Sequence, residues 1–155
     1  MYAAKKKVPG LKLPAVWFPH GILGISTAAV IADRTEGAFG PFASHLLVSD
    51  QGQSKIMRVA MEKVDGEYQG AVFSFREGYK SGLLRMNFDK NNVLWSGQTA
   101  RGWYATGGEL FALEGLKWTG KTPFEMYTIS ATKEGFEVEF TMPVNPATVK
   151  SSSFE

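Results

Sequence analysis

The feature that most constrains this chain is a short stretch that occurs twice. Leu46-Leu47-Val48-Ser49-Asp50-Gln51 is matched 47 positions later by Val93-Leu94-Trp95-Ser96-Gly97-Gln98, and each copy leads into a polar, glycine-containing loop and then a new apolar run. A repeat of roughly 40–50 residues assembled from short strands is the period of a β-propeller blade. Propellers gather functional loops on one face, so the repeat says which loops belong together.

Working outward from the repeat gives an all-β chain. Ala28 to Asp33 is a short apolar strand, and Gly/Pro punctuation carries the chain on to Ala43. Leu46 to Ser49 is a second strand. Lys55 to Glu62 is a third, in which Ile56, Arg58, Ala60 and Glu62 alternate against Met57, Val59, Met61 and Lys63. Val64-Asp65-Gly66-Glu67 is a hairpin turn of the Asp-Gly kind, and Tyr68 to Phe75 is the fourth strand. The pattern restarts at Gly82 with Leu83 to Phe88, a turn at Asp89-Lys90-Asn91-Asn92, Val93 to Gly97, and Leu110 to Trp118. No window holds a helical apolar stripe without meeting Gly or Pro. The expected architecture over 1–123 is a partial β-propeller of about two four-stranded antiparallel blades, near 26–78 and 79–123.

After Pro123 the pattern changes. Phe124 to Thr132, the Lys133-Glu134-Gly135 turn, and Phe136 to Thr141 form a hairpin in which Phe136, Val138 and Phe140 share one side. With Met142-Pro143-Val144-Asn145-Pro146-Ala147-Thr148 behind it, the segment 124–155 resembles the start of bacterial immunoglobulin-like modules. It also suits the last strand of a blade. It is too short for a whole sandwich of about seven strands, and two blades do not close a ring of about 4–8. The chain is therefore expected to be a segment of a larger bacterial multidomain protein, with a small independent β-domain as the alternative.

Composition narrows the function classes. At 44% hydrophobic and 21% charged the chain is globular in composition, and 17 glycines against 7 prolines suit many turns. A net charge of +2 gives no basis for a nucleic-acid or acidic-membrane partner, and Lys5-Lys6-Lys7 is expected to be a solvated end. The absence of cysteine excludes a disulfide framework, a thiolate nucleophile and a Cys-type zinc site. No stretch approaches the ~18 apolar residues of a membrane span, and the first ten residues lack the apolar core of a signal peptide. There is no Gly-x-Ser-x-Gly elbow, no phosphate-binding Gly-rich loop and no His-Glu-x-x-His helix.

Four longer pieces carry a family resemblance. They are Ser49-Asp50-Gln51-Gly52-Gln53-Ser54 with Met57-Arg58-Val59, Gly70 to Gly78 with Ser81-Gly82, Gln98 to Trp103, and Leu116-Lys117-Trp118-Thr119-Gly120-Lys121-Thr122-Pro123-Phe124-Glu125. Together, over about Pro14 to Thr148, they resemble the soluble glucose/sorbosone dehydrogenase-like propellers, especially bacterial proteins that join such a propeller to cytochrome c modules. The resemblance implies a six-bladed ring, a periplasmic or extracellular location, and a fold whose active members bind pyrroloquinoline quinone and calcium. Its partners would be a sugar or alcohol substrate, the rest of the propeller and cytochrome c modules. No metal ligand is assigned to this chain.

The blade arrangement selects three loops for one face, namely Asp50 to Ser54, Arg76 to Ser81 and Gln98 to Thr106. From them the candidate cofactor- or substrate-binding residues are Asp50, Gln51, Gln53, Arg76, Lys80, Gln98, Arg101 and Trp103, with Tyr104 beside them. Arg76 and Arg101 suit bidentate recognition of carboxylates, which the quinone carries, and Trp103 or Tyr104 offers a face for stacking. Gln51 and Gln98 can supply paired amide hydrogen bonds. Arg76 with Glu77 also suits a local ion pair, and Trp103 suits filling between blades.

Oxidation of a sugar by a quinone enzyme needs a base, usually a histidine, to take the hydroxyl proton. Only His20 and His45 exist; His45 opens a strand and is expected to be structural, which leaves His20 as the candidate base. The family's catalytic histidine lies in an earlier part of the propeller. Two functions are therefore carried forward. One is a share of a quinone-dependent sugar or aldose dehydrogenase, with this segment alone inactive. The other is a non-catalytic propeller module that binds carbohydrate or organises a surface complex.

Overall fold

The computed structural model describes residues 2–150. A short helix, α1 (Tyr2–Lys5), is followed by β1 (Thr27–Ala32), β2 (Leu46–Asp50), β3 (Lys55–Val64) and β4 (Glu67–Arg76), which form one antiparallel sheet in the order β1-β2-β3-β4. A second antiparallel sheet contains β5 (Leu83–Phe88), β6 (Leu94–Thr99) and β7 (Phe111–Leu116) in that order, and β8 (Met126–Ala131) pairs with β9 (Phe136–Phe140) as a hairpin. Among the described residues the chain is all-β apart from α1 and a single 3-10 turn at Pro146–Thr148, and no sheet closes on itself. Among the described residues no helix is long and apolar enough to cross a membrane.

The first sheet has the four strands expected of it. The second has three where a full blade needs four, because β8 pairs with β9 and packs near β3 and β4 instead of extending the β7 edge. Over the segment 124–150 the structure shows a two-stranded hairpin followed by a 3-10 turn.

Local chemistry explains the strand ends. Asp65 and Gly66 both take positive φ, 49° and 85°, in the two-residue turn that joins β3 to β4. The two copies of the repeat occupy β2 and β6, each second in its sheet, and they bury the same positions: Leu47 with Leu94, Ser49 with Ser96, and Gln51 with Gln98. Both first strands carry an irregularity near their start. The register slips between Thr27 and Val30 in β1 and between Leu83 and Arg85 in β5. An extra residue of this kind bends the strand and re-aims its side chains.

The larger core cluster contains Phe39, Phe42, Leu47, Ile56 and Phe75 from the first sheet and the loop after β1, together with Leu83 and Leu94 from the second sheet. The other face of the first sheet, Val48, Met57 and Val59, is covered by Val16, Phe18 and Leu23 from the segment before β1.

Arg58 is the unusual member of the interior. It is 1% exposed, its guanidinium lies 4.1 Å from the Phe42 ring centre and 4.4 Å from that of Phe73, and it donates to the carbonyls of Met126 and Tyr127 and to His45 Nδ1. Arginine has no acceptor, so His45 Nδ1 accepts and the imidazole is neutral with its proton on Nε2. Burial first, and Arg58 second, push His45 down from its ordinary range to about 4. His45 is thus buried and engaged with Arg58.

Candidate functional site

The three loops chosen from the sequence are joined by hydrogen bonds. Thr106 N donates to the Gly52 carbonyl, Gly107 N to Ser54 Oγ, Tyr79 N to the Ser54 carbonyl, and Glu109 N to the Lys80 carbonyl. A side chain at Gly82 would overlap the Gln51 carbonyl, so glycine allows the connection between the sheets to pass directly over that loop.

Four of the candidate polar side chains, Asp50, Gln51, Gln53 and Gln98, are engaged in internal hydrogen bonds. Asp50 is fully buried; one carboxylate oxygen accepts from Ile25 N and Ser26 N at 2.9 and 2.8 Å, and the other accepts from Gln53 N at 2.7 Å. Gln51 Nε2 donates to the carbonyls of Thr99 and Tyr104, bridging the two repeat loops. Gln98 accepts from Ser81 N through Oε1 and donates to Ser96 Oγ and Glu114 through Nε2. Glu114 is held below the usual carboxylate range, chiefly by the Lys80 N–H and also by Gln98. Gln53 Nε2 donates to the Gly21 carbonyl at 2.7 Å, and the neighbouring Lys55 ammonium, itself buried, donates to the Ile22 carbonyl at 2.8 Å.

The cationic candidates do not converge. Arg76 lines a cavity with Phe39 and Trp118, Lys80 lines a depression beside Phe111, and Arg101 lines a groove with Trp103. Arg76 and Glu77 do not pair: Arg76 donates to the Phe75 carbonyl, whereas Glu77 accepts from Ser74 Oγ and lies 3.7 Å from Lys55 Nζ. His20 is exposed and bridges to Gly24; its turn is tied to the Gln53 and Lys55 side chains, but it does not line the groove.

What remains open is that groove, of about 660 Å³. Its walls are the segment from Ile25 to Ala28, Leu84 and Arg85 at the irregular start of β5, and Thr99, Arg101, Trp103 and Tyr104. Trp103 and Tyr104 are 79% and 76% exposed. Among the described residues the Arg101 guanidinium has no hydrogen-bond or ion-pair partner, and Arg85 donates to the Leu84 carbonyl. Two guanidinium groups and no carboxylate line the groove.

Arg85 and Leu84 were not among the candidates, because they lie inside a strand that read as regular. The signal that could have found them is the slipped register of β5, which the sequence does not display.

The donor set can be compared with the groups that the family resemblance implies. Two guanidinium groups and two exposed aromatic faces suit a planar anion such as the quinone. Calcium finds no carboxylate in the groove, both oxygens of the nearby Asp50 already accept backbone N–H groups, and no cluster of three metal-ligating side chains occurs among the described residues. The described residues therefore do not form a calcium cage. In comparisons with known proteins, no family model, no curated protein and no solved structure matches this chain.

Proposed function

We propose that the groove between β1, β5 and the 99–104 loop binds a ring-shaped polar ligand, a sugar or the planar quinone, as one wall of a site in a propeller of the glucose/sorbosone dehydrogenase-like type. The observation that carries this is the unpartnered Arg101 guanidinium beside two exposed aromatic rings, at the irregular starts of both first strands. Aromatic faces stack on sugar or quinone rings, and the arginines orient an anionic edge. The proximity of β1 and β5, the first strands of the two sheets, supports a blade-like arrangement. Export to the periplasm or cell surface belongs to the same proposal.

A second function, binding without oxidation, is favoured by the groove's composition. None of its lining residues is a histidine or a carboxylate, so the groove's own walls offer the bound ring no histidine or carboxylate base. The chain itself should bind and not turn over.

The test uses the purified chain with pyrroloquinoline quinone and a panel of aldoses, followed by tryptophan fluorescence, beside a dye-reduction assay with calcium present. Saturable quenching with background dye reduction is expected. Arg101→Ala should weaken binding by about tenfold, the loss of one charge-assisted contact, and leave the thermal midpoint unchanged. An affinity equal to that of the distant control Lys90→Ala would remove Arg101 from the site. A fallen midpoint would assign Arg101 to structure, and turnover by the chain would overturn the binding-only function.

A further inference from the structure

A second cavity takes no part in the groove. It lies between the 39–42 segment, the end of β4 and the 116–123 turn, with a volume of about 140 Å³. Phe39, Phe42 and Phe75, all buried, line it. Trp118 is held as a further wall from two directions. Its Nε1 donates to the Lys121 carbonyl at 3.1 Å, and its ring lies so close to Gly40 that a Cβ there would sit 3.5 Å from it. An apolar cavity of about 150 Å³ takes up benzene, so this one has room for a single six-membered ring.

The charge at the same place is one-sided. Arg76, Lys117 and Lys121 line the cavity, and among the described residues none of them has a carboxylate partner. Arg76 uses one N–H on the Phe75 carbonyl, which steadies the guanidinium and leaves its other donors available. No acidic residue lines the cavity to oppose an anion. Inorganic phosphate would satisfy the cations but leave the aromatic walls wet, whereas a neutral ring would leave the cations uncompensated.

We propose that this cavity binds a monocyclic aromatic carboxylate, with its ring among Phe39, Phe42, Phe75 and Trp118 and its carboxylate toward Arg76 and the two lysines. Nothing in this assignment depends on the groove that holds Arg101.

The probe is benzoate, titrated into the isotope-labelled full chain while backbone amide resonances are followed. Saturable shifts are expected at residues 39–42, 75–76 and 116–121. Arg76→Gln and Lys121→Gln, both at exposed positions, should each weaken binding by about tenfold. Benzamide and acetate should bind more weakly than benzoate by at least the same factor, and Trp118→Phe should retain binding. Arg101→Ala should leave benzoate affinity unchanged, which separates this result from any outcome at the groove. Absence of saturable shifts, shifts spread over lysines across the surface, or benzamide binding as tightly as benzoate would each overturn the assignment.

Discussion

Arg58→Ala should be among the most damaging single changes in this chain, and the structure lets its cost be worked out. The side chain donates at 2.8 and 2.6 Å to two carbonyls at the start of β8 and at 2.9 Å to His45, between two phenyl rings. Hydrogen bonds to a charged group contribute about 1.5–3 kcal/mol each, but they share one guanidinium and do not add. Some of the gain is offset already, since Arg58 Nε is buried without a partner and burial pushes its pKa down to about 10. Alanine leaves two carbonyls and His45 Nδ1 without their donor at about 1–3 kcal/mol for each buried unsatisfied group, and since these costs are not additive and partly relax, about 3–5 kcal/mol is the expected loss. Lysine keeps the charge but cannot span both carbonyls, so about 2 kcal/mol is expected for Arg58→Lys. The hairpin keeps a second tether, Ala131 N to Glu62 Oε1, so it should loosen before the first sheet does. Urea titration gives the global loss, and hydrogen exchange at residues 128–130 against residues 56–59 gives its location. A loss under about 0.5 kcal/mol with hairpin amides still protected would refute the role of Arg58 as the clamp.

Two further outcomes follow from the interior. His45 titrates near 4 when folded and near 6.5 when unfolded, so between those values the unfolded chain binds the extra proton and stability falls as pH falls from about 6.5 to about 4. His45→Gln should flatten that limb of the stability profile relative to the parent, and an unchanged slope would contradict it. Gly82→Ala forces a methyl onto the Gln51 carbonyl and should cost about 1–3 kcal/mol, whereas Gly97→Ala meets open space and should stay within about 0.5 kcal/mol. Equal thermal midpoints for the two variants would contradict the close approach.

Strand positions were legible because alternation and turn chemistry act locally. Leu83 to Phe88 was bounded as observed, and Asp65-Gly66 turns the chain where expected. Boundaries moved where a side chain found a tertiary partner. β7 stops at Leu116 rather than Trp118, because Trp118 turns to lie against Gly40 and to donate to the Lys121 carbonyl. The site was less legible. Polar residues in glycine-rich loops suggest exposure, yet Asp50, Gln51 and Gln98 are buried, because the segments packed over these loops leave backbone groups that need partners. A signal was present in the repeat itself: Ser49/Ser96 and Gln51/Gln98, the polar identities it preserves, are all buried, as is the unrepeated Asp50. Residues that both copies keep serve what both copies share, which is the fold.

The repeat also bears on how the sheets are related. In a propeller each blade presents opposite faces to its two neighbours, so a given repeat position recurs in successive layers. Here Leu47 and Leu94 fall in one cluster, to which Phe39 and Phe42 from the loop after β1 also belong. The opposite side of β6 and β7 carries Trp95 and Leu113, with Leu113 69% exposed. That loop is therefore more than a connection: its two phenylalanines join a core to which both sheets contribute, and the same two rings line the small cationic cavity. Binding at the groove needs only the bulged starts of β1 and β5 to stay side by side, which either relation between the sheets allows. The functional proposal thus depends on the Gln51 bridge and the Gly82 passage that hold those strand ends, and it does not require the ring to be complete.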